Sequence, residues 1–267
     1  MRPYLAFARA SFDNILAYRG RYVVGIFTYL FNVAVYTFIW RAVFRVTPTM
    51  GGSGVSYDVK DIGTYVAVGW ILRTFYFNTI DRDIADDLAE GRLAVLLARP
   101  VDDQAARIFR AAGESAFRIL FFSAPTALAV ALCFQVRLPP TFGAAAAFTI
   151  AAFFSFLLMA GINYAVGLSA IGTRAVMGIL RAKYLIVELL SGLLLPLALF
   201  PAQLRTICAW LPFRHIVDTP LNLYLGKVTG TAAAELLALQ GLWAIGVVVI
   251  GRMIFIAASP RISIAGG

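Results

Sequence analysis

Five carboxylates, Asp81, Asp83, Asp86, Asp87 and Glu90, are crowded into residues 81–90, with Arg82 and Arg92 beside them. Acids at this density could hold a metal, exchange protons with a substrate, or present a charged face to a partner. The first two call for further ligands or bases, and the chain has few. His215 is the single histidine, Cys133 and Cys208 are the two cysteines, and none stands at metal-ligand spacing. No G-x-S-x-G or H-E-x-x-H occurs, and none of Lys60, Lys183 and Lys227 closes a G-x-x-x-x-G-K phosphate loop. What remains for the acidic stretch is recognition. Asp81, Asp83, Asp86, Asp87 and Glu90 make a densely charged helix, on which Ile84 and Leu88 form an apolar i,i+4 anchor. Gly91 can end that helix, and Pro100 stops the next from running back unbroken. An ordinary solvated loop stands beside this reading, because charge runs are often no more than that.

The elements that must carry this stretch are membrane helices. Hydrophobic residues make up 61% of the 267-residue chain and charged residues 14%, against roughly 45–50% and 25% in soluble domains. There is too little polar surface to clothe a soluble body, and lipid must cover the rest. The apolar runs predict an all-α integral membrane fold as a single unit over residues 1–267, with six spans at 22–44, 62–80, 117–134, 142–170, 184–200 and 232–257. A long helix over 105–134 carries the third span. Residues 1–20 read as an amphipathic interfacial helix with Leu5, Ala8, Phe12, Ile15 and Leu16 on one face. Met50-Gly51-Gly52-Ser53-Gly54 reads as a flexible loop and 173–183 as a short basic one. Residues 201–230 are apolar but interrupted by Pro201, Pro212 and Pro220. They are read as a re-entrant or interfacial segment, which needs protein or water to satisfy its backbone.

The net charge of +9 follows membrane topology rather than nucleic acid, since no soluble module carries basic clusters interleaved with aromatics. Basic residues concentrate on one side (Arg2, Arg9, Arg19, Arg21, then Arg82 to Arg110, then Arg174, Arg181 and Lys183), and fewer lie on the other. That excess places both termini and the 81–103 segment in the cytoplasm. The first apolar run starts too late and runs too long for a cleavable signal. Cys133 and Cys208 both fall near the outer side; a disulfide is open to them if the fold brings them together, and two buried thiols is the favoured reading.

Charged and amide residues inside the spans need explanation, because each costs a few kcal/mol in lipid. Arg73 lies midway along the second span and requires a carboxylate, a carbonyl or water. Arg107, Arg110, Glu114 and Arg118 share one helical face, with Glu114 in i±4 reach of Arg110 or Arg118. They form either an ion-paired stripe or the wall of a vestibule. Asn78 and Asn163 are read as cross-helix hydrogen-bond glue, Glu188 as a partner of Lys183 or Arg181, and His215 as structural; Arg73, Asn78, Glu114, Arg118 and Asn163 are the candidates for a translocation path or subunit interface.

The run Ile84-Ala85-Asp86-Asp87-Leu88-Ala89-Glu90-Gly91-Arg92-Leu93-Ala94-Val95-Leu96-Leu97-Ala98-Arg99-Pro100 resembles the region between spans two and three of type-2 ATP-binding-cassette exporter permeases. Ser191-Gly192-Leu193-Leu194-Leu195-Pro196, followed by Phe200-Pro201, Leu211-Pro212-Phe213, Pro220 and Leu225-Gly226, resembles their fifth span and the extracytoplasmic segment after it. The N-terminal helix ending at Tyr18-Arg19 is similar too. Within that superfamily the chain looks most like small permeases encoded beside one ATPase and often a sibling permease. The resemblance implies an export half-channel in the bacterial inner membrane. Its partners would be a second permease copy or sibling, the lipid bilayer, and two nucleotide-binding subunits that hold ATP and Mg; this chain would hold no cofactor and bind no nucleic acid. Asp83 to Pro100 would form the coupling helix, with Gly91, Arg92, Leu93 and Leu96 in its contact. Relatives export lipophilic cations, lipids or glycans. A secondary transporter and a membrane-embedded lipid-modifying enzyme are the alternatives. The first should show inverted repeats with broken helices, and the second a cluster of His, Asp or Ser at the inner interface.

Overall fold

Uninterrupted apolar sequence makes the long helices, and the charged interruptions decide how they are joined. The computed structural model describes residues 2–17, 20–46, 49–52, 55–97, 100–173 and 176–265; Tyr18, Arg19, Ser53, Gly54, Ala98, Arg99 and Arg174, which enter the sequence reading, lie outside them. Helix α1 (Arg2–Ala17) is followed by α2 (Gly20–Val46), a short hairpin of β1 (Met50–Gly52) and β2 (Val55–Tyr57), and α3 (Val59–Tyr76). Two short helices come next, α4 (Ile80–Ala89) and α5 (Arg92–Leu97). A long rod follows, made of α6 (Asp103–Arg118), a π turn (Ile119–Ser123) and α7 (Ala124–Cys133). Helices α8 (Phe142–Leu168) and α9 (Val176–Leu190) precede two short ones, α10 (Ala202–Ala209) and α11 (Asp218–Tyr224), and α12 (Gly230–Ala265) closes the chain.

Among the described residues, four helices are long and apolar enough to cross a membrane: Val24–Val46, Asp103–Cys133, Phe142–Ile171 and Gly230–Ser259. The predicted second and fifth spans differ from these. Helix α3 carries Lys60, Asp61 and Arg73, and α9 is 15 residues long with Arg181, Lys183 and Glu188 on it. The fifth span also moves. The sequence places it at 184–200, but α9 starts at Val176 and ends at Leu190. Gly192 follows with φ +87, a conformation that glycine adopts at no steric cost. Apolar sequence continues beyond the helix, so hydropathy alone slides the span past its true end. Pro196 therefore breaks no helix; it caps a 3-10 turn at Leu197–Leu199. The predicted basic loop over 173–183 is mostly the first half of α9, and the predicted flexible loop at Met50 is in part the hairpin.

The π turn has a local cause. Pro125 opens α7 without an N–H to donate, and the ladder slips so that the Ala124 N–H reaches Ile119 O.

Helix α8 is the centre. It packs against α12, α4, α11 and α3, and its residues from Ala151 to Leu168 are largely buried. Gly161 lets α12 approach so closely that a β-carbon there would come within 2.9 Å of Val247 Cγ1, the small-residue contact that membrane helices favour. Gln240 of α12 donates to Ala151 O at 2.8 Å and His215 O at 2.7 Å. In contrast, α2 turns Val24, Phe27, Phe31 and Phe38 outward, each at least two-thirds exposed. Helix α1 lies along α6, with Phe12 edge-on to Phe117 and Tyr4 beside Phe109. The face that meets α6 runs through Tyr4, Ala8 and Phe12, and Leu5 is exposed. The two cysteines are free; Cys208 is buried but Cys133, the last residue of α7, is exposed.

Candidate functional site

Helix α4 has two unlike faces. Ile80, Asp81, Ile84, Ala85 and Asp87 are buried, whereas Arg82, Asp83, Asp86, Ala89 and Glu90 are exposed. This corrects the expected anchor. Ile84, read as half of an outward apolar pair with Leu88, is fully buried against α8, where Gly167 leaves room for it. Asp81 and Asp87, read as part of the charged face, point inward as well. Gly91, at φ +70, ends α4, and Leu93 of α5 is buried, Leu96 half-buried and Pro100 exposed.

Two buried ion pairs hold the inner face. Lys183 Nζ of α9 lies 2.6 Å from Asp81 Oδ2 and donates to Asn163 Oδ1 of α8 at 2.5 Å. Asn163 Nδ2 in turn donates to Asn78 O and Asn78 Oδ1, both at 2.9 Å, in the short connection between α3 and α4. Asn78, Asp81 and Asn163 are inaccessible to solvent and Lys183 is nearly so. The second pair joins α4 to α6. Arg107 Nη2 meets Asp87 Oδ2 at 2.9 Å and Arg107 Nε meets Asp103 Oδ2 at 3.0 Å, while Tyr164 of α8 donates to Asp103 at 3.2 Å. Arg92 closes the set by pairing with Asp87 Oδ1 at 3.0 Å and with Glu90. A buried charge stripped of its partner is costly, so these pairs fix α4 to three other helices.

The outer face of α4 is unlike this. Asp83 accepts from Thr79 Oγ1 at 3.3 Å. Its carboxyl tip reaches water but sits over the mass of the protein, and that desolvation, helped by the charge of Glu114, pushes its pKa up to about 6. Asp86 and Glu90 complete an acidic surface.

Arg73 finds its carboxylate in Glu188 of α9, Nη2 to Oε1 at 2.5 Å, and Tyr29 of α2 at 3.1 Å. Glu188 is therefore not the partner of Lys183 or Arg181. Arg118 pairs with Glu114 at 2.7 Å and donates to Phe77 O at the end of α3. Arg73 and Arg118 both face a cavity of about 300 Å³, lined also by Gly25, Tyr29, Phe77 and Phe122.

At the opposite end of the bundle, α3 is stapled to the segment after α9. Tyr65 donates to Gly192 O at 3.0 Å and to Asp218 Oδ1 at 3.3 Å, and Tyr57 to Asn222 Oδ1 at 2.5 Å. Pro201 caps α10, Pro212 opens a 3-10 turn containing Phe213, and Pro220 sits in the first turn of α11, where its missing N–H does no harm. Residues 218–223 of helix α11 are buried, and the Asp218 N–H donates to Ser191 O at 3.0 Å. His215 is buried and shares a hydrogen bond with Thr219 Oγ1 at 3.0 Å, and among the described residues it belongs to no group of three or more possible metal ligands.

The sequence reading missed Lys183 and Asp81 as site residues. Lys183 falls in the predicted basic loop and Asp81 on the charged helix, and neither position by itself shows that the two meet.

Long apolar helices around α8, with a short charged helix tethered to them by buried ion pairs, define a multi-pass helical membrane protein with an exposed acidic helix face. A family model described as ABC-2 family transporter protein matches residues 30–266. The chain belongs to that family, as a permease component of an ATP-binding-cassette transporter rather than an enzyme. No curated protein matches it.

Proposed function

We propose that this chain is the permease subunit of an ATP-driven exporter, supplying half of a translocation pathway, and that the exposed face of α4 seats on a separate nucleotide-binding subunit. ATP and Mg belong to that subunit, present in two copies. The other half of the pathway is a second copy or a sibling permease. Helices α3 and α9 act as spans two and five, which gives six crossings of a bacterial plasma membrane with both termini in the cytoplasm. The cargo belongs among lipophilic or cationic compounds, lipids and glycans.

The observation that carries this reading is the asymmetry of α4. A lever needs one face rigidly attached and the other free. Asp81–Lys183 and Asp87–Arg107 attach α4 to α9 and α6, while Asp83 and Asp86 remain open to a basic groove and Glu90, paired with Arg92, is exposed beside them. The charges of α3 and α9 support their placement as spans, because Arg73 and Glu188 neutralise one another and Lys183 has Asp81. Outward-facing Met177, Leu185, Ile186 and Leu189 on α9 offer an apolar face to a second permease.

The test is native purification followed by mass spectrometry of bound subunits. Charge reversal of Asp83, Asp86 and Glu90 to Lys should leave membrane insertion intact and remove the ATPase subunit. An intact complex with full transport in that variant would overturn the docking assignment.

A further inference from the structure

We propose that the cleft between the last turns of α2 and the first turns of α3 binds the phosphate headgroup of one anionic phospholipid.

Arg41, Arg45 and Lys60 converge on this cleft of about 350 Å³, and no carboxylate lines it. All three are exposed, and among the described residues none makes an ion pair. The acids close by are already committed: Asp61 accepts Lys227 at 2.6 Å and also Arg137, and Asp58 accepts Arg137 at 2.8 Å. Two of the three cations stand one turn apart on α2, and the third faces them from α3. Like charges gathered this way repel, and an arginine pair is geometrically suited to grip a phosphate through paired N–H donors.

A second observation points to the same ligand. Thr37 stands one turn before Arg41, lines the cleft and is 7% exposed, yet its hydroxyl has no hydrogen-bond partner. Helical threonines ordinarily return that bond to the carbonyl four residues back. Here the hydroxyl is unpaired and closed off from solvent on a residue that lines the basic cleft, and a rotation of its side chain would offer it to a phosphate oxygen.

The source of the phosphate follows from the rim. Phe44 and Phe134 border the cleft, which lies at the end of a helix long and apolar enough to span a membrane. A headgroup held by the cations can lay its acyl chains along this apolar surface, which a soluble phosphate cannot use. Arg41 and Arg45 alone would hover over any anionic bilayer; Lys60 and Thr37 turn that general attraction into a bounded site. The inference needs α2 to lie in the membrane but is independent of the coupling role of α4.

The full-length chain in detergent, titrated with phosphatidylglycerol or phosphatidylcholine and read by native mass spectrometry, tests it. One phosphatidylglycerol per chain is expected to bind in preference to phosphatidylcholine. Arg41→Gln with Lys60→Gln should weaken it about thirtyfold, from roughly 1 kcal/mol per cation near an anionic surface. Lys60→Arg should keep the binding, and Arg9→Gln, on the exposed face of α1, should not change it. Equal affinity for the two lipids, unchanged binding in the double variant, or displacement by millimolar glycerol phosphate would each overturn the assignment.

Discussion

Lys183 reaches from the middle of α9 to Asp81 at the start of α4, its ammonium 2.6 Å from the carboxylate and 2.5 Å from Asn163 Oδ1. Residues 102 positions apart in the chain are thereby joined where no water reaches. Any displacement of α4 must move α9 or break this pair.

Removing one member of a buried pair costs about 3–5 kcal/mol, whereas replacing both by neutral groups of similar size is often close to neutral. Lys183→Met alone should therefore lower the thermal unfolding midpoint strongly, and adding Asp81→Asn should restore most of it. Thermal unfolding in detergent, followed by size-exclusion fluorescence, measures both. Equal midpoints for the wild type and Lys183→Met would show that the pair holds nothing.

The two faces of α4 should separate in mutagenesis. Ile84→Ala removes a fully buried side chain packed on α8 and should cost roughly 2–5 kcal/mol of stability. Asp86→Ala, on the exposed face, should stay within about 0.5 kcal/mol of wild type in stability. If the proposed docking holds, it lowers the ATPase rate of the assembled complex instead. Unfolding midpoints and ATPase assays on the same preparations distinguish the two effects.

Much of this architecture was legible because lipid imposes simple rules. The uncharged runs over α2, α8 and α12 leave one solution, and Gly91 marks the end of α4 by its residue type alone. What stayed hidden depends on contacts made across the fold. Asp83 and Asp87 look alike in sequence, but Asp87 is turned inward by Arg107 of α6. Lys183 reads as cytoplasmic because a lone lysine prefers water; only the Asp81 carboxylate, brought by the turn at residues 77–79, makes its burial tolerable. The end of α9 was misplaced for a related reason. Leu193, Leu194 and Leu195 extend the apolar run, but Gly192 has already turned the backbone, so that its carbonyl accepts from Tyr65.

His215 gives a prediction in pH. Burial first, and the nearby charge of Arg214 second, depress its pKa to about 4, against about 6.5 in an unfolded chain. Between those values the unfolded state binds more protons, so stability rises with pH. The contribution is complete above about pH 6.5 and declines as pH falls toward 4. The unfolding midpoint should drop between pH 7 and pH 5, and His215→Gln, which does not titrate, should flatten that part of the profile. An identical slope in the variant would assign the pH dependence to other groups.

Gly167 tests whether the position of α4 and the Lys183–Asp81 pair are one feature or two. A β-carbon at residue 167 would lie 2.8 Å from Asp81 Cα and 2.9 Å from Ile84 Cδ1. The isoleucine tip can rotate away, but the Asp81 backbone cannot. Gly167→Ala should therefore push the start of α4 off α8, at a cost of about 1–3 kcal/mol for overpacking, and carry the Asp81 carboxylate away from Lys183. Once that has happened, Lys183→Met has less left to remove. The double variant Gly167→Ala/Lys183→Met should then be destabilised by less than the two single effects together, by roughly 0.5–3 kcal/mol, as coupled neighbours show. Strict additivity in the same unfolding assay would mean that α4 keeps its place on α8 without the ion pair, and that the pair follows the helix rather than holding it.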